Sequence, residues 1–213
     1  MGLRLERVQK IAITMGDPAG VGPEICLDLL VDSDVAKVCT PVVFGDRAIL
    51  DRCAEETGKA KPSRVVAPDD LNSIKAPTVV DLGLMDLDQF RPGSVNVATG
   101  KATVGYINAA IDACLQGNID AVTTGPANKE AMRSAGVRHP GQTEIFAERT
   151  GTERFCMMLT SEVLTCSFAT VHVGYHEVPE LLTTERILEV IDEVSSNRWD
   201  AATERAAALP GDI

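Results

Sequence analysis

The chain has 213 residues, of which 45% are hydrophobic, enough for one large domain or one and a half ordinary ones with a true core. Its formal charge of −11 argues against nucleic acid or an anionic membrane as partner, since both ask for a concentrated basic surface; a small anion held by local amides and a few cations stays open. No run approaches the roughly 18–20 apolar residues of a membrane span, and the opening MGLRLERVQK has no signal-peptide core, so a cytoplasmic location is expected.

Strand-like and helix-like patterns alternate along the chain. KIAIT (10–14) reads as a buried strand, and GPEICLDLLVD (22–32) as a helix with Pro23 and Glu24 in its first turn and Ile25, Cys26, Leu29 and Leu30 on one face. PVVFG (41–45) is a strand, DRAILDRCAEETG (46–58) a helix closed by Gly58, and RVVA and PTVVDLG are short strands. Residues 81–101 look like loop. A helix is predicted over 102–116, with Val104, Ile107, Ile111, Cys114 and Leu115 as its apolar stripe.

IDAVTTGP (119–126) is a strand running into a turn, and NKEAMRSAG and TEIFAERTG are short helices. RFCMMLT and LTCSFATVHVG read as neighbouring strands, the second ending at His172. TTERILEVIDEVSS (183–196) is a helix with Ile187, Leu188, Ile191 and Val194 on one face. Such alternation predicts an α/β fold with a parallel or mixed sheet flanked by helices. The six cysteines form no C-x-x-C pair and are expected to be buried small hydrophobes.

Three turns attract attention. In ITMGDPAGVGPEI a strand meets Gly16, Asp17, Gly20 and Gly22 before a helix, leaving amides and a positive helix end at the sheet's carboxyl edge, where open α/β folds place ligands. The spacing fits neither G-x-G-x-x-G nor the Walker pattern, whose lysine is absent. A close structural crossover explains it equally well, and a P-loop phosphotransferase is disfavoured. VTTGPANKEAM repeats the logic, with Lys129 as a cation for a phosphate or carboxylate; the plainer alternative is that Asn128 caps a helix and Lys129 is solvated. In HPGQTEIFAE, Gln142 and Thr143 offer an amide and a hydroxyl, and the three turns together suggest one shared site. His172 and His176 have H-x₃-H spacing, but they bracket Gly174 beyond a strand-like run, and one imidazole does not make a metal site.

ITMGDPAGVGPEI, TGPANKEAM, GQTEIFAERTGT, MML and ATVH, in that order, resemble the 4-hydroxythreonine-4-phosphate dehydrogenase family, including its branch acting on 4-phosphorylated threonate or erythronate. The resemblance runs from about Ile11 to about Ile191. It implies a fold like isocitrate and isopropylmalate dehydrogenases, a homodimer, and metal- and NAD-dependent oxidation with decarboxylation of a phosphorylated hydroxy acid. The main expectation is 4-phosphooxy-L-threonine, on the route to pyridoxal 5'-phosphate (vitamin B6), and the alternative is the threonate/erythronate branch.

By the same resemblance Gln142, Thr143 and Lys129 bind substrate, Gly16, Asp17, Gly20 and Gly22 belong to the cofactor site, and His172 is a ligand of a divalent metal (Zn, Mg, Mn or Co). Gln142 stands where the family usually has histidine, and an amide cannot exchange a proton near neutral pH. Residues 1–191 are therefore expected to be the N-terminal part of a two-domain enzyme with the C-terminal part of the fold missing, and 192–213 a tail without family motifs. A truncated remnant that binds anions without turnover is the competing expectation. A domain cut short is expected to expose apolar surface.

Overall fold

A computed structural model describes residues 8–161 and 163–195. The chain divides into two compact units, Met1–Gly141 and Gln142–Ile213.

The first unit is built on a five-stranded sheet of order β3-β4-β2-β1-β5, parallel throughout. Its strands are β1 (Lys10–Thr14), β2 (Thr40–Gly45), β3 (Val65–Val66), β4 (Thr78–Asp81) and β5 (Ala121–Thr124). Both faces of β2 are covered, so its residues are buried without alternation, as its unbroken apolar text requires. The pleat nevertheless sorts them: Val43 enters a core with Ile13, Leu27, Ile49 and Val79, while Val42 and Phe44 enter a second core with Ala12, Leu71 and Val80.

Helices α1 (Gly22–Val31) and α3 (Arg47–Thr57) pack on each other and supply the first core. The 19-residue α4 (Val97–Leu115) serves both, through Ala102 and Tyr106 to the first and Ala110 and Ala113 to the second. The unit also contains the short helices α2 (Ser33–Val38) and α5 (Lys129–Ser134), and 3-10 turns at Pro68–Ser73 and Leu87–Gln89.

Several expectations change in detail. The helix predicted over 102–116 begins at Val97, because Asn96 caps it by accepting from the Thr99 amide at 2.9 Å. Its early Gly100, which reads as loop in the sequence, is where α5 crosses: a Cβ there would lie 2.0 Å from the Ala131 carbonyl oxygen. Asp32, read as the last residue of α1, is the cap of α2, accepting from the Asp34 and Val35 amides. Ile25 is 46% exposed, and Leu27 takes the buried place beside Cys26. Of the cysteines only Cys26 is fully buried, and Cys166 is exposed; all are free thiols.

The second unit holds α6 (Gln142–Thr150), the antiparallel pair β6 (Met157–Thr160) and β7 (Thr165–Phe168), α7 (Val178–Leu181) and α8 (Thr184–Ser195). Among the described residues antiparallel pairing is confined to this hairpin. The strand expected to reach His172 stops at Phe168, since His172 has φ 59°, incompatible with an extended chain.

Helix α8 is turned inside out. Val190 is its buried residue and Val194 is half-buried, but polar side chains share that inward side: the Arg186 guanidinium donates to the Ala169 and Phe155 carbonyls at 3.0 and 3.1 Å, and Glu193 meets Arg154 at 3.3 Å. Ile187, Leu188 and Ile191, the apolar face read from the sequence, are 41, 59 and 56% exposed. Residues 196–213 of the expected tail lie outside the described residues. Among the described residues no helix is long and apolar enough to cross a membrane.

Candidate functional site

The parallel registers put Ile13 beside both Val43 and Thr123, so β1 and β5 end together at the carboxyl edge of the sheet. The loops that follow interlock there. The Asp17 amide donates to the Pro126 carbonyl at 2.8 Å, and the Gly125 amide to the Thr14 carbonyl at 2.9 Å. A Cβ on Gly16 would lie 2.3 Å from the Pro126 carbonyl oxygen, one on Gly125 2.4 Å from that of Thr14, and one on Gly22 1.9 Å from that of Met15. Three glycines thus let main chain press on main chain at the first two turns.

Gly20 differs. It lines a cleft of about 290 Å³ together with Asp17, Ala19, Val21, Asn128 and the loop residues Gly93, Ser94 and Val95. The Gly93 amide donates to the Ala19 carbonyl at 2.8 Å and fastens that loop to the first turn. The Asp17 carboxylate, almost buried, accepts from the Ala19 amide at 2.9 Å and shapes the turn from within.

Two helices begin beside this cleft, in different states. At α5 the Asn128 side chain accepts from the Glu130 and Ala131 amides, so the first turn is satisfied internally and Lys129 is left exposed. At α1 the capping residue is Val21, which has no side-chain oxygen, and Pro23 removes one donor. The positive end of α1 is therefore the one open to an anion.

The first two glycine turns are thus brought together. The third belongs to the second unit, where Gln142 is half-buried at the start of α6 and Thr143 is exposed. His172 and His176 are exposed in the bend after β7, where the Glu177 carboxylate accepts from the Gly174 amide at 2.7 Å.

Among the described residues no three His, Cys, Asp or Glu side chains gather as metal ligands, so His172 does not sit in a formed metal site. The cleft is at the small end for organic ligands and suits a phosphate-sized group, not a whole dinucleotide.

Sequence reading missed the cleft wall at Gly93, Ser94 and Val95, although Pro92-Gly93 signals a turn. It also missed Asp46. This carboxylate is 1% exposed and accepts from the Leu84 and Met85 amides at the start of the loop leading to that wall. Burial raises its pKa from the ordinary carboxylate value and the Asp81 charge adds to the rise, while the Leu84 and Met85 amides pull the other way. The Tyr106 hydroxyl is buried beside it but outside hydrogen-bond geometry.

A parallel sheet covered on both faces, with a cleft lined by Gly20 and Gly93 at its carboxyl edge beside an uncapped helix, defines an open α/β fold. The family model described as "Pyridoxal phosphate biosynthetic protein PdxA" matches residues 37–207, and the chain belongs to that family. It is 40% identical over 186 residues to the 4-hydroxythreonine-4-phosphate dehydrogenase of Geobacter metallireducens, covering 85% of this chain and 54% of that protein. It is 37% identical over 183 residues to a protein of Symbiobacterium thermophilum provisionally named D-threonate 4-phosphate dehydrogenase, covering 85% of this chain and 55% of the other.

Among solved structures, the 4-hydroxythreonine-4-phosphate dehydrogenase of Klebsiella pneumoniae superposes with a TM-score of 0.78 at 30% identity, over 95% of this chain and 60% of that one. The enzyme of that name from Burkholderia phymatum gives 0.76 at 30% identity, over 96 and 60%. The isocitrate dehydrogenase-like architecture is shared with them. The chain spans about half the length of the curated relatives it matches.

Proposed function

We propose that this chain carries the substrate-facing part of an NAD-dependent dehydrogenase acting on a phosphorylated hydroxy acid, with 4-phosphooxy-L-threonine, on the route to pyridoxal 5'-phosphate, as the first choice and 4-phospho-D-threonate or erythronate as the alternative. The observation that carries the reading is the cleft where the first two turns interlock, in a chain whose relatives are named for phosphorylated four-carbon substrates.

The contribution of these residues is binding and orientation. The uncapped end of α1 draws an anionic group, of substrate or cofactor, and Gly20 lets it approach the main chain. Lys129 adds a mobile cation, and Gln142 and Thr143 hydrogen-bond polar groups of the substrate without exchanging a proton. Gly16, Asp17, Gly20 and Gly22 are assigned to the cofactor site, with Gly16 and Gly22 acting through the shape they give the turn. His172 is assigned as one metal ligand. The residues described do not complete that metal site, and no chemical step is derived through it. The enzyme is read as a cytoplasmic homodimer.

Anion binding without turnover is the second reading, which needs only the open end of α1 and its cleft. The test is NADH formation with phosphorylated 4-hydroxythreonine, threonate and erythronate, each with and without divalent metal, alongside calorimetric binding of the same compounds. Turnover of one of them supports the dehydrogenase; binding without turnover supports the second reading; neither binding nor turnover removes both.

A further inference from the structure

The sheet carries a second cleft, at its amino edge. Lys10 and Thr40, the paired first residues of β1 and β2, line it together with Asn72, Ile74 and Lys75 from the connection entering β4. Gly117 and Asn118 join them from the turn between α4 and β5. The cleft holds about 410 Å³, against about 290 Å³ at the carboxyl edge, and is of a size that takes small organic molecules. The length of β1 separates the two clefts.

Its wall is rich in donors. In a chain of net charge −11, two lysines line it and no carboxylate does. The carboxylate of Asp120, two residues beyond Asn118, accepts from the Lys10 backbone amide at 2.8 Å. The half-buried Lys10 ammonium donates to the Leu71 carbonyl at 3.1 Å, which fixes its place and leaves two N–H groups. Lys75 is exposed and has no ion-pair partner among the described residues. Thr40 is only 8% exposed, yet its hydroxyl meets no hydrogen-bond partner among the described residues, and neither does the Asn72 side chain. A polar group so nearly buried is ordinarily satisfied. The Asn118 side chain donates to that of Gln116 at 3.3 Å and keeps a second N–H. The negative end of α4 also reaches this edge, but the Asp112, Ala113 and Cys114 carbonyls already accept from the Gln116, Asn118 and Gly117 amides at 3.0 Å.

We propose that the amino-edge cleft is a second anion site, which takes a small phosphate-bearing compound. Lys10 and Lys75 meet the phosphate as point charges, and the Thr40 hydroxyl and the Asn72 and Asn118 amides donate to its remaining oxygens. No arginine fork is present to select a planar carboxylate. The buried Ile74 and the exposed Val8 offer an apolar wall to a short organic body. None of these residues belongs to the candidate functional site, so the inference stands apart from the proposed function.

The test is a titration of the full, 15N-labelled chain followed by amide NMR, with inorganic phosphate, with glycerol 3-phosphate, and with sodium chloride at matched ionic strength. Saturable shifts are expected at the Asn72, Lys75, Gly117 and Asn118 amides with both phosphates and not with chloride. Tighter binding of glycerol 3-phosphate assigns the site to phosphomonoesters, and equal binding to free phosphate. Lys75→Gln should weaken binding by about three- to fivefold, the effect of one exposed charge, and Lys75→Glu by more. Absence of saturation at these four amides, the same shifts with chloride, or unchanged affinity in Lys75→Gln and Lys75→Glu overturns the site; should Lys75→Glu not fold, Lys75→Gln decides. The Gly20 and Gly93 amides report the other cleft in the same spectra. Shifts there alone overturn this inference and leave the proposed function standing, and shifts at the amino edge alone do the reverse.

Discussion

The two units use their apolar residues in opposite ways. In the first, alternate residues of β2 feed two cores, one on each face of the sheet. In the second, Ile145 and Val190 are the buried hydrophobics among the described residues, and the most amphipathic helix turns its apolar face outward. The first unit is held by burial. The second is fastened by hydrogen bonds and partly exposed ion pairs around Arg154 and Arg186, which are worth less apiece and weaken in salt.

Three substitutions test this contrast. Phe44→Ala empties a position 1% exposed in the central strand and should remove about 3–5 kcal/mol, seen as a large fall in the urea midpoint followed by circular dichroism. Gly22→Ala places a methyl against the Met15 carbonyl and should cost about 1–3 kcal/mol while also weakening anion binding, because relief requires the turn and the start of α1 to part. Leu188→Ser in the second unit should change stability by no more than about 0.5 kcal/mol and raise solubility. A loss at Leu188 as large as that at Phe44 would show that the second unit too is held by burial of that face.

The sheet was legible because its strands are short apolar runs closed by turn residues, and the helices because their apolar residues recur at helical spacing. What stayed hidden depends on distant neighbours. Gly100 reads as loop until Ala131 is seen to press on it, and Asp46 reads as the first residue of a helix until residues 84–85 fold over it. The helix 183–196 was legible as amphipathic, but periodicity locates a stripe without saying which side faces inward; Arg154 and Arg186 decide that. At the site, the pairing of the first two turns follows from β1 and β5 being neighbours, which their separation in sequence conceals. The roles of Gln142, Thr143 and His172 come from motif resemblance and await the assays above.

The crossing of the first two turns bears on how such a site can vary. Where Gly16, Gly22 and Gly125 meet carbonyl oxygens, the turns beside the cleft rest on a floor of polypeptide backbone with no room for ornament. Substitution cannot retune that floor a little at a time. Change in what such a cleft accepts is expected at the rim, at positions such as Ser94 and Val95, where side chains can be exchanged without shifting the foundation.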